Sequence, residues 1–109
     1  MKKLTPNARD KAAYTVGFAM VNEDGDPTTP LSASWTLTNG YEEVVNDRQD
    51  VAVASLGTTI YISLTPEDTD YDDGDVRIIT LDYTFTSSVT NSETADRISG
   101  ILLIEDLPL

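Results

Sequence analysis

Neither cysteine nor histidine occurs anywhere in the 109 residues. Without thiols there is no disulfide framework and no thiolate metal site, so any core is held by packing. Without imidazole as well, the usual zinc ligand sets, the Cys-His nucleophile pair and the Ser-His-Asp relay are excluded. Positive charge is scarce: seven lysines and arginines face 19 carboxylates, for a formal net charge of −12. The scarcity is uneven. Lys2, Lys3, Arg9 and Lys11 stand in the first eleven residues, and from residue 12 onward 18 acids face only Arg48, Arg77 and Arg97. A body of that sign repels phosphates and anionic headgroups, which argues against nucleic-acid and membrane-surface partners. No apolar run approaches the roughly 20 residues that cross a bilayer. The start of the chain, interrupted by Tyr14, Thr15 and Gly17, makes a poor signal peptide, so the expectation is a protein made in the cytoplasm.

The length fits one domain with one core. What fills it is alternation with period two, the mark of strands with one wet face. In "LSASWTLT" Leu31, Ala33, Trp35 and Leu37 alternate with hydroxyl side chains. Asn39-Gly40 follows, a pair suited to a two-residue hairpin turn, so "YEEVV" is expected to return antiparallel. Tyr14, Val16, Phe18 and Met20 alternate likewise, as do Ile60, Ile62 and Leu64, and then Ile79, Leu81, Tyr83 and Phe85. "DVAVA" reads as a short strand, and "RISGILLIEDL" as the last one after a polar loop from Ser87 to Asp96. About seven strands at short spacing predict an all-β chain, an antiparallel immunoglobulin-like β-sandwich, with a small closed barrel as the other all-β solution. Residues 1–11 are expected to form a basic, flexible leader outside the core, and residues 12–109 the single domain.

The densest charge lies in "TPEDTDYDDGD", residues 65–75, with six carboxylates and no base. Asp68, Asp70 and Asp72 alternate as calcium ligands do, and calcium takes six to eight hard oxygens. The helix-loop-helix calcium pattern fails at its glycine and glutamate positions, which Asp73 and Ile79 occupy. A looser calcium site would use Asp68, Asp70, Asp72 and Asp75, completed by Glu23, Asp24 and Asp26 if the two loops share one end of the sandwich. The competing explanation is a solvated connection between strands, with Gly74 closing a turn. Tyr71 is a candidate for the tyrosine that fixes the corner before a sandwich's sixth strand.

Carboxylates in number do not make a glycosidase, which needs a cleft and one acid of raised pKa. Ser-Lys catalysis is disfavoured because all three lysines lie in the leader. No catalytic residue and no cofactor other than the candidate calcium is therefore expected. Trp35, central in its strand, reads as core, whereas Tyr41 and Tyr61 fall off the inward register and are candidates for an exposed contact surface. A basic leader on an acidic body is self-complementary, so the arm of one copy is expected to suit the surface of the next.

The marks "SWTLT", "VVNDRQDVAV", a hydrophobic strand ending in "SLT", an acidic loop with Asp-Gly and a Thr-rich strand resemble a set of small proteins. These are encoded among the virion-assembly genes of tailed bacteriophages and prophages. The resemblance covers about residues 32–88 and implies an immunoglobulin-like fold and a non-enzymatic structural role in the particle, in contact with its other structural proteins or with further copies of itself. The leader departs from the pattern, which leaves the mode of attachment open. The alternative function is a calcium-dependent binding or adhesion domain.

Overall fold

The computed structural model describes residues 2–105. Among the described residues the chain is all-β apart from one 3-10 turn at Tyr71–Asp73. Its strands are β1 (Lys2–Lys3), β2 (Ala8–Arg9), β3 (Tyr14–Ala19), β4 (Ser32–Asn39), β5 (Val51–Ala52), β6 (Thr59–Leu64), β7 (Val76–Thr86) and β8 (Glu93–Glu105). The larger sheet runs β1-β8-β7-β4-β5, with β2 also on β8, and a second sheet consists of β3 and β6.

The alternation read in the sequence explains why these segments are strands. Along β7 every second side chain from Arg77 to Phe85 is buried, and the intervening Ile78, Thr80, Asp82 and Thr84 are half-buried. β3 and β6 repeat the pattern with Val16, Phe18, Ile60, Ile62 and Leu64, and β4 with Trp35 and Leu37. These inward rows meet in one cluster drawn from both sheets, closed by Leu102 and Ile104 of β8. Trp35 belongs to that core at 8% exposure.

Four expectations change. The pairing is mixed: β1 and β2 run parallel to β8, while β3–β6, β4–β7 and β7–β8 are antiparallel. Residues 2–11 are part of the fold, because Leu4 and Ala8 are apolar and find room beside β8, where each is almost fully buried. Gly100 makes that room. A Cβ there would sit 2.9 Å from the Leu4 side chain.

The Asn39-Gly40 hairpin does not form as a two-residue turn. The Asn39 carboxamide oxygen accepts from the backbone N–H of both Tyr41 and Glu43, at 2.9 and 3.1 Å, and draws the chain into a wider loop. The left-handed residue is Glu42, at φ +63. The return then meets β4 at an antiparallel bridge between Val44 and Thr38 and through Leu37 N, which donates to Arg48 O at 2.8 Å, before β5 pairs with Ser34 and Trp35. Lastly, β8 begins at Glu93 and not near Arg97, so the loop beyond β7 is Ser87–Ser92. Its polar first residues are held by register against β7 and by Arg97 Nε, 2.6 Å from Asp82 Oδ1. Residues 106 and 107 of the expected last strand lie outside the described residues. Among the described residues, no helix is long and apolar enough to cross a membrane.

Candidate functional site

The acidic loop connects β6 to β7, as the sequence implied, and it is organised from the inside by a cation that alternation alone put there. Arg77 occupies an inward position of β7 and is fully buried. Burial without water demands that its N–H groups find acceptors. They are backbone carbonyls of the loop itself: Nε donates to Asp68 O at 2.8 Å, Nη1 to Gly74 O and Val76 O at 2.9 Å each, and Nη2 to Asp70 O. Gly74, at φ +106, adopts the left-handed backbone that glycine tolerates, in the turn that offers its carbonyl to this cradle. Burial pushes the Arg77 pKa down, and the field of Asp73, Asp70, Asp68 and Asp75 works in the opposite direction. The negative loop thus surrounds a buried positive charge of its own chain.

Asp68 is the second fixed point. Its side chain is completely inaccessible, although Arg48 beside it remains partly exposed. Oδ1 accepts from Asn46 Nδ2 at 2.9 Å and Arg48 Nε at 3.0 Å. Oδ2 accepts from the Thr65 N–H at 2.8 Å and the Thr65 hydroxyl at 3.0 Å. A carboxylate has about four lone-pair sites, and all are in use. Burial by itself would raise the pKa of this carboxyl; Arg48, Asn46 and Thr65 together outweigh it and leave it below the ordinary value. Arg48 also lies 5.9 Å from the centre of the Trp35 ring, which ties "NDRQD" to the core and to the acidic loop together.

The other carboxylates do not join Asp68. Asp70 caps the 3-10 turn by accepting from Asp72 N at 3.0 Å, and the Asp72 and Asp75 side chains are exposed. The backbone does the tethering: Asp75 O accepts from Ile104 N at 2.7 Å, and Asp73 O from Asn39 Nδ2 at 3.3 Å. Among the described residues, no group of three or more acidic side chains is arranged to hold a metal ion, so Asp68, Asp70, Asp72 and Asp75 form no cage. Nor do Glu23 and Asp24 complete one. Both hydrogen-bond Ser88 beyond the far end of β7, and that strand's eleven residues put roughly 35 Å between the loops.

Tyr71 is anchored by its backbone N–H, which donates to Asp10 Oδ1 at 2.8 Å, with its ring at the surface. The tyrosine that fastens a segment through its hydroxyl is Tyr14, whose Oη donates to Pro6 O at 2.7 Å. Tyr41 and Tyr61 are exposed, at 82% and 70%, as their register implied. Tyr61 also lies across from Gly17, where a Cβ would meet its ring at 3.1 Å. Two clefts accompany the loop and the arm: one of about 250 Å³ beside Lys11, Pro66, Glu67 and Asp70, and one of about 170 Å³ between Lys3–Thr5 and Tyr14–Gly17. Small-molecule pockets usually occupy about 300–1,000 Å³.

Arg77 and Asp68 carry the local structure, and sequence reading singled out only one of them. The signal for Arg77 was its place in the row Arg77, Ile79, Leu81, Tyr83 and Phe85, one charge at the end of an apolar face. Compared with protein-family models, with curated proteins and with solved structures, the chain gives no significant match.

Proposed function

We propose that the protein is a non-enzymatic structural module acting through protein–protein contact, a head or tail component of a phage or prophage particle, with an immunoglobulin-like arrangement of its two layers. The observation that carries this reading is the inward use of the chain's most conspicuous chemistry. The buried guanidinium of Arg77 is spent on loop carbonyls and the Asp68 carboxylate on four internal donors, so neither is free to serve a ligand or a reaction. What faces outward is strand edge and aromatic surface. β3 and β6 each pair with one neighbour only among the described residues, and Tyr41, Tyr61 and Val89 are prominent at the surface. Open edges and exposed apolar side chains are what assembly proteins use to add neighbours. The resemblance across residues 32–88 supplies the particle as the setting. No observation favours the calcium-dependent alternative over this reading.

The test is mass spectrometry of virus particles purified on a density gradient from a strain that carries the gene. The chain is expected to band with the particle proteins at a fixed ratio across the peak fractions. Recovery in the soluble fraction alone, or a variable trace in the particles, overturns the proposal.

A further inference from the structure

We propose that the edge of β8 is a strand-acceptor site, and that it takes residues 2–9 of a second copy of this chain in place of its own. In the described fold these residues lie parallel to β8, with Lys2 opposite Gly100, Lys3 opposite Ile101, Ala8 opposite Ile104 and Arg9 opposite Glu105. Their attachment is a knob in a notch. Leu4 sits over Gly100, where any Cβ would come within 2.9 Å of it, and the Leu4 N–H donates to Ile101 O at 2.8 Å. Nothing in that fit depends on the arm and the notch belonging to the same molecule.

Three further observations favour exchange. The arm forms no strand ladder with β3, the strand that follows it; the cleft of about 170 Å³ lies between them, bridged by Tyr14 Oη, which donates to Pro6 O. The connection from the arm to β3 is short, and its turn, closed by Ala12 N to Arg9 O, holds Lys11 at φ +53. That left-handed conformation is disfavoured for a non-glycine residue, the strain is released when the hinge straightens, and short strained hinges favour swapping. The arm also carries three of the chain's seven bases, Lys2, Lys3 and Arg9, with Lys11 in the hinge, and the remaining body is strongly acidic, so an incoming arm is steered to any copy's body. Since a swapped arm repeats the contacts it leaves, the balance between the two states lies with the hinge, where the strain at Lys11 opposes the bonds from Lys11 N to Thr69 O and from Tyr71 N to Asp10 Oδ1, and with the lost translational freedom. Donation from each copy to the next builds a ring or filament, which rests on the assembly reading above and gives it an attachment mode.

The absence of native cysteine makes the test direct. Copies with Lys3→Cys, carrying a mass tag, are mixed with Ile101→Cys copies, incubated, and treated with a short bis-maleimide. Both positions face away from the core, and Val89→Cys, on the distant Ser87–Ser92 loop, serves as the control partner. Tagged heterodimer is expected at tenfold or more above the Val89→Cys control, rising with protein concentration. Heterodimer at the control level, with a Lys3→Cys/Ile101→Cys double variant linking only within monomers, overturns the proposal. Hinge variants keep the test independent of any one cysteine. Lys11→Gly, which relieves the strain, is expected to lower heterodimer yield severalfold, and Lys11→Pro, which forbids the positive φ, to raise it; equal yields from the two contradict the mechanism. Protein found in particles without heterodimer removes this inference and leaves the assembly role standing. Heterodimer from a protein absent from particles does the reverse.

Discussion

Replacing Arg77 with methionine removes the charge that organises the acidic loop while keeping a side chain of similar reach. Four hydrogen bonds disappear: the carbonyls of Asp68, Asp70, Gly74 and Val76 lose the guanidinium, and Asp70 O keeps the Asp73 N–H at 3.1 Å. Bonds to a charged donor contribute about 1.5–3 kcal/mol each, and burying the guanidinium offsets much of that sum. The carbonyls nearest the surface regain water when the loop loosens. A net loss of about 3–5 kcal/mol is therefore expected, in line with breaking a buried charged network. For a domain of this size that lowers Tm by roughly 13–22 °C, assuming about 2.1 cal/mol/K of unfolding entropy per residue. The assay is urea unfolding followed by the fluorescence of Trp35, the single tryptophan. Arg48 lies over its ring and links it to the loop through Asp68, so the probe reports the region in question. The midpoint should fall with little change in the m-value. Arg77→Lys should recover less than half of the loss, because an ammonium cannot reach a fork of four carbonyls. An Arg77→Met protein within about 1 kcal/mol of the parent, or more stable than it, would refute the reasoning; charge-to-apolar replacements that stabilise are known, so this outcome is a real alternative.

Other consequences follow from the same geometry. Asp68→Asn should cost about 2–4 kcal/mol near neutral pH, since Arg48 and the Thr65 donors face an amide in place of a carboxylate. The Asp68 pKa is depressed in the folded state, so its contribution is complete above the unfolded value near 4 and disappears as pH falls through the folded value. The stability gap between parent and Asp68→Asn should accordingly close below about pH 4, and a gap constant down to pH 2 would count against the assignment. Gly100→Val should expel Leu4 from its notch and expose the arm, read as new protease cleavage before Tyr14 and a loss of about 2–3 kcal/mol from the Leu4 burial site. Unchanged protease resistance would contradict the close fit. Trp35→Ala should cost about 3–5 kcal/mol by melting, given its burial in the core.

Much of the fold was legible because alternation is local. β3, β4, β6 and β7 each announce their inward face within six to eleven residues, and Trp35 falls where its register put it. The arm was hidden for the opposite reason. β1 and β2 are two residues each, too short for any periodicity, and their partner is about a hundred residues away in a parallel pairing that no turn signals. Charge also misled: four bases in eleven residues resemble a solvated tail, whereas the two apolar residues Leu4 and Ala8 determine the docking. At Asn39-Gly40 the turn motif was real but its side chain mattered more than its backbone preference, since the Asn39 carboxamide captured two N–H groups and widened the loop. The site was half readable. Six carboxylates were visible, yet their reason lay in Arg77, an isolated cation on an apolar row whose significance depends on which carbonyls fold over it.

The claim that this loop is organised from within by Arg77 and Asp68, and not by a bound cation, is tested most directly by calcium titration with a melting readout. The account predicts that 5 mM calcium shifts Tm by no more than magnesium at the same ionic strength. A site filled at a hundred times its dissociation constant would add about 2.7 kcal/mol, roughly 10 °C for a chain of this length. A calcium-specific rise of that order, abolished in Asp70→Asn, would contradict it.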